Sequence, residues 1–297
     1  MARLMAEHRM RRCAASLGTY TVLILWSAIC LFPIYWIVIT SIKVTEFEPD
    51  GSTFVPFVDF KPTLESWRYI LSDSHDDTLA RALTSLIVAG VSTLLCLFLG
   101  ALAAYSLVRL RTRFMSLPPE TSLLALLAAR ILPPVAAVLP IYVALQYLGL
   151  VNTMPALILV YVAVHLPIAI WLIADGFRRV PGEVLDAAAL DGASHWRILA
   201  GTAAPLAAAE IGATALLVFI LCWTEFPIAS VLTTNRSMTL PAYLVGQMAV
   251  REQMASTEAQ WGYFSAIIVL MFAPLLLGTS VLQRLLARSF VGRDKSG

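Results

Sequence analysis

Residues 82–108 read ALTSLIVAGVSTLLCLFLGALAAYSLV, a run of apolar and small residues without a charged side chain. A transmembrane helix needs about 20 mostly apolar residues, so this run is long enough to cross a bilayer. The whole chain has the same character, since 59% of its 297 residues are hydrophobic and 13% are charged. Soluble domains carry about 25% charged residues, so the composition predicts a polytopic membrane protein. The net charge of +2 gives no basic surface for nucleic acid.

Five further apolar blocks lie on both sides of this run. Residues 13–42 contain no charge, and the uncharged stretch 131–174 is too long for one crossing. The turn residues Gly149–Thr153 divide that stretch, so we predict two helices there, the first beginning near Glu120. The last two blocks cover 205–232 and 259–283. The sequence therefore predicts an all-α polytopic membrane protein of six transmembrane helices.

The basic residues predict how the chain is oriented. Fourteen of the 21 lysines and arginines fall in the N-tail, the second loop, the fourth loop and the C-tail, whereas the first loop, 43–78, carries eight acids. Because Lys and Arg are enriched on the cytoplasmic side, we expect both termini and the loop 177–204 to be cytoplasmic and the loop 43–78 to face outward. The predicted parts are an N-tail at 1–16, one membrane domain at 17–286 and a C-tail at 287–297.

The fourth loop reads FRRVPGEVLDAAALDGASHWRILAGTAA at 177–204 and carries the signals of a short helix. Pro181 suits a helix start, because its missing N–H costs nothing there. Glu183 and Asp186 lie in the first turns, where the positive end of the helix dipole attracts carboxylates and the helix is stabilised.

The second half of the loop predicts a turn and another helix. Ala187–Ala189 form helix readily and present almost no side chain, so another backbone can approach closely. Gly192 is a candidate left-handed C-cap, after which a second helix begins near Ser194, and Pro205 is expected to open the fifth membrane helix. The loop is therefore predicted to be a compact helix–turn–helix; the alternative is a solvated connector.

This segment resembles the EAA loop of ABC-importer permeases, whose pattern is E-A-A-x3-G-x9-I-x-L-P. The matching residues are Asp186, Ala187, Ala188, Gly192 and Pro205, with a conservative change at the first of them. Thr202 and Ala204 depart from the isoleucine and the leucine of the pattern. The resemblance implies that the loop, together with Glu183, forms the coupling helix that docks into an ATP-binding subunit.

Further segments are similar to carbohydrate-uptake permeases of the maltose-permease type. They are LFPIYWIVITSIK at 31–43, LGLVNT at 148–153, LPIAIW at 166–171, CWTEF at 222–226 and LQRLLARSFV at 282–291. The resemblance implies a type I ABC importer permease fold in the bacterial plasma (inner) membrane. It also implies a permease subunit of an ATP-driven, binding-protein-dependent importer, which translocates a sugar or related polyhydroxylated solute by alternating access.

The same resemblance implies several partners. These are a second permease subunit, usually non-identical, two ATP-binding subunits that carry ATP and Mg, and an extracytoplasmic solute-binding protein that contacts the loops 43–78 and 233–258. The sequence has no GxxxxGK[ST] and no HExxH, and its four cysteines have no metal-ligand spacing. We therefore expect no cofactor, no metal and no catalytic residue on this chain, which would be a transport subunit and not an enzyme.

Charged residues inside the apolar blocks are candidates for the substrate pathway, because a charge at bilayer depth costs about 2.5–3.5 kcal/mol on insertion scales. Arg130 precedes two prolines, and Glu225 lies about twenty residues into the predicted fifth helix between Trp223 and Phe226. Aromatic faces beside a carboxylate suit a sugar. The alternatives are a structural ion pair or snorkelling for Arg130 and a helix-packing acid for Glu225.

A second function class stays open at this point. An ion-coupled carrier or channel working without an ATPase could use Arg130, Glu225 and the lone His165 of the fourth helix. Six spans without a detectable inverted repeat fit that class less well. For His165 we expect a satisfied hydrogen bond between helices. An intramembrane enzyme would need a convergent catalytic set, and the sequence offers none.

Overall fold

The computed structural model describes residues 2–43, 54–72, 77–110, 118–128, 134–234, 237–252 and 258–293. Across these ranges the regular secondary structure is helical, apart from one isolated bridge between Pro56 and Phe60. The predicted all-α class is therefore confirmed. The helices are α1 (Ala2–Ser41), α2 (Glu65–Leu71), α3 (Thr78–Val108), α4 (Pro119–Ala128), α5 (Pro134–Tyr147), α6 (Met154–Arg179), α7 (Gly182–Leu190), α8 (His195–Ile198), α9 (Ala204–Leu206), α10 (Ala208–Trp223), α11 (Pro227–Leu232), α12 (Leu240–Glu252) and α13 (Glu258–Arg293).

Four described helical segments are long and apolar enough to span a membrane. They are Gly18–Ser41, Thr78–Val108, Met154–Arg179 and Trp261–Arg284. A fifth span follows if the bent pair His195–Leu206 and Ala208–Trp223 is counted as one. The predicted third span is represented by α4 and α5, and residues 129–133 between them lie outside the described ranges. The count of six spans therefore stays a prediction.

The tight turn predicted at Gly149–Thr153 is present. Gly149 and Asn152 both adopt left-handed backbone angles, with φ of 67° and 63°, in the turn between α5 and α6. Thr153 then caps α6, since its hydroxyl accepts the N–H of Ala156 at 3.4 Å. The turn therefore depends on local residue types, a glycine and an asparagine that tolerate left-handed backbone angles.

The described helices fall into two compact units. The first comprises residues 1–76 and 251–270, and the second comprises residues 77–250 and 271–297. In the first unit the rings of Tyr69 and Tyr263 meet edge to face at 5.5 Å. Gly262 allows the close approach there, because a Cβ at that position would lie 2.9 Å from the Ser66 hydroxyl oxygen. Most side chains of the apolar part of α1 are exposed and available to lipid or another subunit.

The second unit is built on the contact between α3 and α6. An added Cβ at Gly100 would lie 3.3 Å from Ile173 and 3.4 Å from Ala169, so small side chains bring the two helices together. Nearer the ends of both helices, Tyr105 and Phe177 pack edge to face at 6.1 Å. Helix α10 packs against the same pair and completes the bundle that carries the loop 177–204.

Candidate functional site

The loop between α6 and α10 forms a helical hairpin closed by a Schellman turn. Gly192 has φ of 81°, and its N–H donates to the carbonyl of Ala189 at 3.0 Å. The N–H of Ala193 donates to the carbonyl of Ala188 at 3.1 Å. These two bonds satisfy the carbonyls of Ala188 and Ala189 near the end of α7. They require a left-handed backbone conformation at position 192, which glycine adopts without steric cost. The predicted C-cap is therefore confirmed.

The second arm of the hairpin begins at a capped helix and ends in a bend. The Ser194 hydroxyl accepts the N–H of Arg197 at 3.4 Å, which starts α8 where the sequence predicted it. A π-helical turn at Leu199–Ala203 follows, and the chain then bends by 82° at Ala207 before α10 begins. The predicted helix–turn–helix is thus confirmed.

Pro205 does not open the fifth membrane helix, and this part of the prediction is wrong. It lies in α9, before the bend, and the membrane helix begins at Ala208. Proline has no N–H to donate to the carbonyl four residues earlier, so the preceding turn widens, and the N–H of Ala204 bonds the carbonyl of Leu199. The role of Pro205 in coupling stays a prediction.

The hairpin has one buried face and one exposed apolar face. Leu185 and Ile198 are buried against Tyr105 and Phe177 at the end of the α3–α6 pair. On the exposed face Leu190 is 90% exposed and Trp196 is 60% exposed, with Val184 and Ala187 also accessible. Contiguous exposed apolar surface is typical of protein or membrane contact sites, so this face is a candidate contact surface.

Charged residues fasten the hairpin to the membrane helices. The Arg109 guanidinium at the end of α3 donates to the carboxylate of Asp186 on α7. Arg179 at the end of α6 donates to Asp175 at 2.6 Å and lies 3.6 Å from the carboxylate of Glu210 on α10. Glu210 therefore belongs to this charged end of the bundle.

Glu225 occupies a break between helices and not the interior of a continuous fifth helix. Helix α10 ends at Trp223, and the Glu225 carboxylate accepts the N–H of Ile228 at 3.1 Å in the first turn of α11. The prediction of an unbroken helix here is wrong, because Pro227 has no N–H with which to continue the hydrogen bonds of α10. The Tyr161 hydroxyl donates to the Glu225 carbonyl at 3.4 Å. Phe226 is half-buried and packs against the apolar cluster that contains Tyr161 and Trp223.

Trp223 lies inside the core of the second unit. Its indole is 3% exposed, stacks on Phe219 at 5.9 Å, and donates its N–H to the Met271 carbonyl at 3.0 Å. Arg130, the other candidate for the pathway, lies outside the described residues. His165 is buried on α6 with its ring edge to face with that of Tyr161 at 6.2 Å. The pathway role of Arg130, Trp223, Glu225 and Phe226 stays a prediction.

Two arginines with structural contacts were not singled out from the sequence. Arg81 is buried at the start of α3, where it donates to Asp77 at 2.7 Å and its guanidinium lies 5.8 Å from the ring centre of Tyr243. The spacing of Asp77 and Arg81, four residues apart, is the signal for this pair. Arg109 gives no such signal, because its partner Asp186 is 77 residues away.

Comparison with known proteins identifies this bundle. A family model described as "Binding-protein-dependent transport system inner membrane component" matches residues 96–292. The chain belongs to this family. The matched region includes the hairpin, the α6–α10 contact and the break at Glu225. Family membership identifies the chain as a permease subunit of an ABC importer, a multi-pass plasma-membrane protein whose ATP hydrolysis takes place on a separate chain.

Sugar transport proteins are among the relatives of this permease. It is 31% identical over 283 residues to the trehalose/maltose transport system permease protein MalG of Thermococcus litoralis, covering 94% of this chain and 95% of that protein. It is also 31% identical over 294 residues to the diacetylchitobiose uptake system permease protein NgcG of Streptomyces coelicolor, covering 97% and 91%. The predicted family, carbohydrate-uptake ABC importer permeases, is confirmed.

A solved structure supports the fold. A chain of a bacterial ABC transporter involved in the import of the acidic polysaccharide alginate superimposes with a TM-score of 0.72 and 20% identity, covering 91% of this chain and 95% of that one. The predicted ABC importer permease fold is therefore confirmed. Such permeases work with a permease partner, ATPase subunits that use ATP, and a binding protein.

Proposed function

We propose that this chain is one of two non-identical permease subunits of a carbohydrate importer and that its 177–204 hairpin docks onto an ATP-binding subunit. The observation that carries the proposal is the exposed apolar face of the hairpin, above all Leu190 and Trp196, on a backbone fastened to three membrane helices. Tryptophan is enriched among the residues that dominate binding energy at protein interfaces, and apolar neighbours such as Leu190 exclude water around such an anchor.

Each residue of the proposed coupling segment has a physical role. Ala187 keeps the exposed surface of α7 low, so a partner backbone can approach, and Ala188 packs partly buried against the apolar cluster beneath the hairpin. Gly192 sets the angle between the two arms. Glu183 lies in the first turn of α7, where its negative charge interacts favourably with the positive end of the helix dipole. Asp186 links α7 to α3 through its ion pair with Arg109, and Pro205 lies just before the bend into α10.

The proposed topology follows the distribution of basic residues. It places the N-tail at 1–16, the C-tail at 287–297 and the hairpin at 177–204 in the cytoplasm, and the loop 43–78 outside. The permease domain is 17–286. Arg109 and Arg179 then both lie on the cytoplasmic side, at the C-terminal ends of α3 and α6, where the negative end of the helix dipole attracts cations.

We propose a sugar or related polyhydroxylated solute as the substrate, since relatives transport trehalose, maltose or diacetylchitobiose. The proposed pathway residues are Arg130, Trp223, Glu225 and Phe226. The helix break at Glu225 supports this proposal, because irregular backbone at membrane depth is tolerated where it faces protein or a water-filled cavity. Trp223 would hold the chain in place next to this break, because its indole N–H donates to the Met271 carbonyl.

The proposed assembly has two permease subunits, two ATP-binding subunits that hold ATP and Mg, and one extracytoplasmic solute-binding protein. Closure of the ATPases upon ATP would move the hairpin, and the hairpin would move α3, α6 and α10 with it. This motion converts ATP binding into alternating access of the pathway.

The docking proposal is tested by Leu190→Asp. Because Leu190 is almost fully exposed, the variant should fold and insert normally. A buried charge at an interface centre should weaken docking by about 2 kcal/mol, or about 30-fold, so the ATPase subunits should be lost when the tagged permease is purified in detergent. The matched control is Leu148→Asp, since Leu148 is 69% exposed on the side predicted to face outward. Equal ATPase recovery from both variants would contradict docking through this face.

The pathway proposal is tested by Glu225→Gln. Glutamine keeps an acceptor for the N–H of Ile228 but removes the charge. If the carboxylate binds solute hydroxyls, KM for uptake should rise about tenfold, because a hydrogen bond to a charged group contributes about 1.5–3 kcal/mol. The variant should keep the melting temperature of the wild type, whereas Glu225→Ala, which also removes the cap, should lower it. An unchanged KM in Glu225→Gln would leave Glu225 with a capping role alone.

A further inference from the structure

The end of α3 and the coupling helix α7 are joined by a contact that chain connectivity does not require. The Arg109 guanidinium donates to Asp186, and a Cβ at Gly182 would lie 3.9 Å from the other terminal nitrogen of Arg109. Gly182 and Asp186 are four residues apart, so they share one face of α7. The guanidinium therefore binds the Asp186 carboxylate and lies beside the start of α7, where Gly182 has no side chain to obstruct it.

This contact complements the apolar attachment of α7. The chain joins α7 to α6 through Val180, and Leu185 is buried against the α3–α6 pair. Both attachments lie on the inner side of the hairpin, while Leu190 and Trp196 point away from it. An apolar contact alone allows a short helix to slide or rotate, whereas a directed hydrogen bond to a carboxylate restricts both motions.

We propose that Arg109 is a positioning residue that fixes the coupling helix to the second membrane helix, so that a force applied at Leu190 moves α3 as well as α6. The inference rests on the proposed function of the hairpin. It assigns the Asp186 carboxylate to a contact within this chain, and it leaves the apolar face of the hairpin for the ATP-binding subunit. Because the carboxylate of Asp186 is 65% exposed, the pair contributes orientation more than global stability.

A charge-swap series on the complete importer tests this proposal. The variants are Arg109→Asp, Asp186→Arg, the double variant with both changes, and Arg109→Lys. The control is Arg284→Asp, which makes the same change of charge at an exposed position of α13 outside the hairpin. The readouts are ATPase recovery with the tagged permease, ATP hydrolysis, and uptake of whichever radiolabelled disaccharide, trehalose, maltose or diacetylchitobiose, the wild-type importer accumulates.

Each single charge reversal should keep ATPase recovery but lower uptake per ATP hydrolysed by about tenfold, within the range shown by coupled neighbouring residues. The double variant should recover most of the loss, Arg109→Lys should lose little, and Arg284→Asp should match the wild type. The proposal is overturned if Arg109→Asp leaves uptake per ATP unchanged, or if the double variant is no better than the single variants. Loss of ATPase recovery in Asp186→Arg without rescue by the double variant would assign Asp186 to the ATPase, and it would also overturn the proposal. Absence of ATPase subunits from the wild-type preparation would instead contradict the proposed function itself.

Discussion

Replacement of Gly192 by valine is expected to lower ATP-driven uptake by at least about tenfold while the protein still inserts into the membrane. Gly192 has φ of 81°, a conformation that costs an ordinary L-residue about 1–2 kcal/mol and is still less accessible to a β-branched one. Open space surrounds the position, so the effect arises from the backbone and not from a clash. The Schellman turn should open, and α8 would then lose its orientation relative to α7.

Two substitutions isolate the backbone requirement at Gly192. Gly192→Asn should retain most of the activity, because asparagine tolerates the left-handed region. Gly201→Val introduces the same side chain into the same hairpin, also in open space and without a positive φ, and should transport almost normally. The measurements are uptake of the transported disaccharide, ATPase recovery, and the amount of permease in the membrane. Normal uptake by Gly192→Val would contradict the proposed role of the turn.

The hairpin was predictable because its structure is encoded locally. A glycine after a short alanine-rich helix and a serine before the next helix each act within four residues of themselves. The same reasoning predicted the turn at Gly149–Thr153. The break at Glu225 also had a local signal in Pro227, but the mainly apolar run to Leu232 favoured one unbroken helix.

The contacts that fasten the hairpin could not be predicted in the same way. Arg109 and Asp186 are 77 residues apart, and their meeting depends on how α3 packs against α6. Trp223 illustrates the same limit, since its place in the core depends on a carbonyl of α13. A small residue such as Gly100 indicates a contact face of a membrane helix, but it does not show which other helix that face meets.

The contact between α6 and α10 leads to the second large effect. Gly176 is buried in α6, and a Cβ there would lie 2.8 Å from Cβ and 3.2 Å from Cγ of Glu210. Real Cβ atoms do not approach other atoms so closely, and the nearer atom belongs to the root of its side chain, so the helices themselves must separate. Glu210 lies in the first turn of α10, just after the bend at Ala207, where a displacement changes the direction of the whole helix.

Gly176→Leu is therefore expected to lose most of the folded permease. Overpacking typically costs about 1–3 kcal/mol, and a marginally stable fold loses a large part of its stability when one or two kcal/mol are removed. The measurement is the monodisperse fraction and the melting temperature of the tagged chain in detergent. Gly90→Leu is the matched control, since Gly90 lies in the membrane helix α3 with open space around its Cβ position, and this variant should keep the melting temperature of the wild type.

A complementary pair of smaller changes separates the contact from a general intolerance of Gly176. Gly176→Ala makes the 2.8 Å approach to Cβ of Glu210, and Glu210→Gly removes that atom, so the double variant should be more stable than the sum of the single effects predicts. Glu210→Gly alone reports the loss of the contact with Arg179, which lies 3.6 Å from the carboxylate. If the two changes are additive, or if Gly176→Leu melts at the temperature of the wild type, the close approach of α6 and α10 does not hold the bend above the hairpin in place.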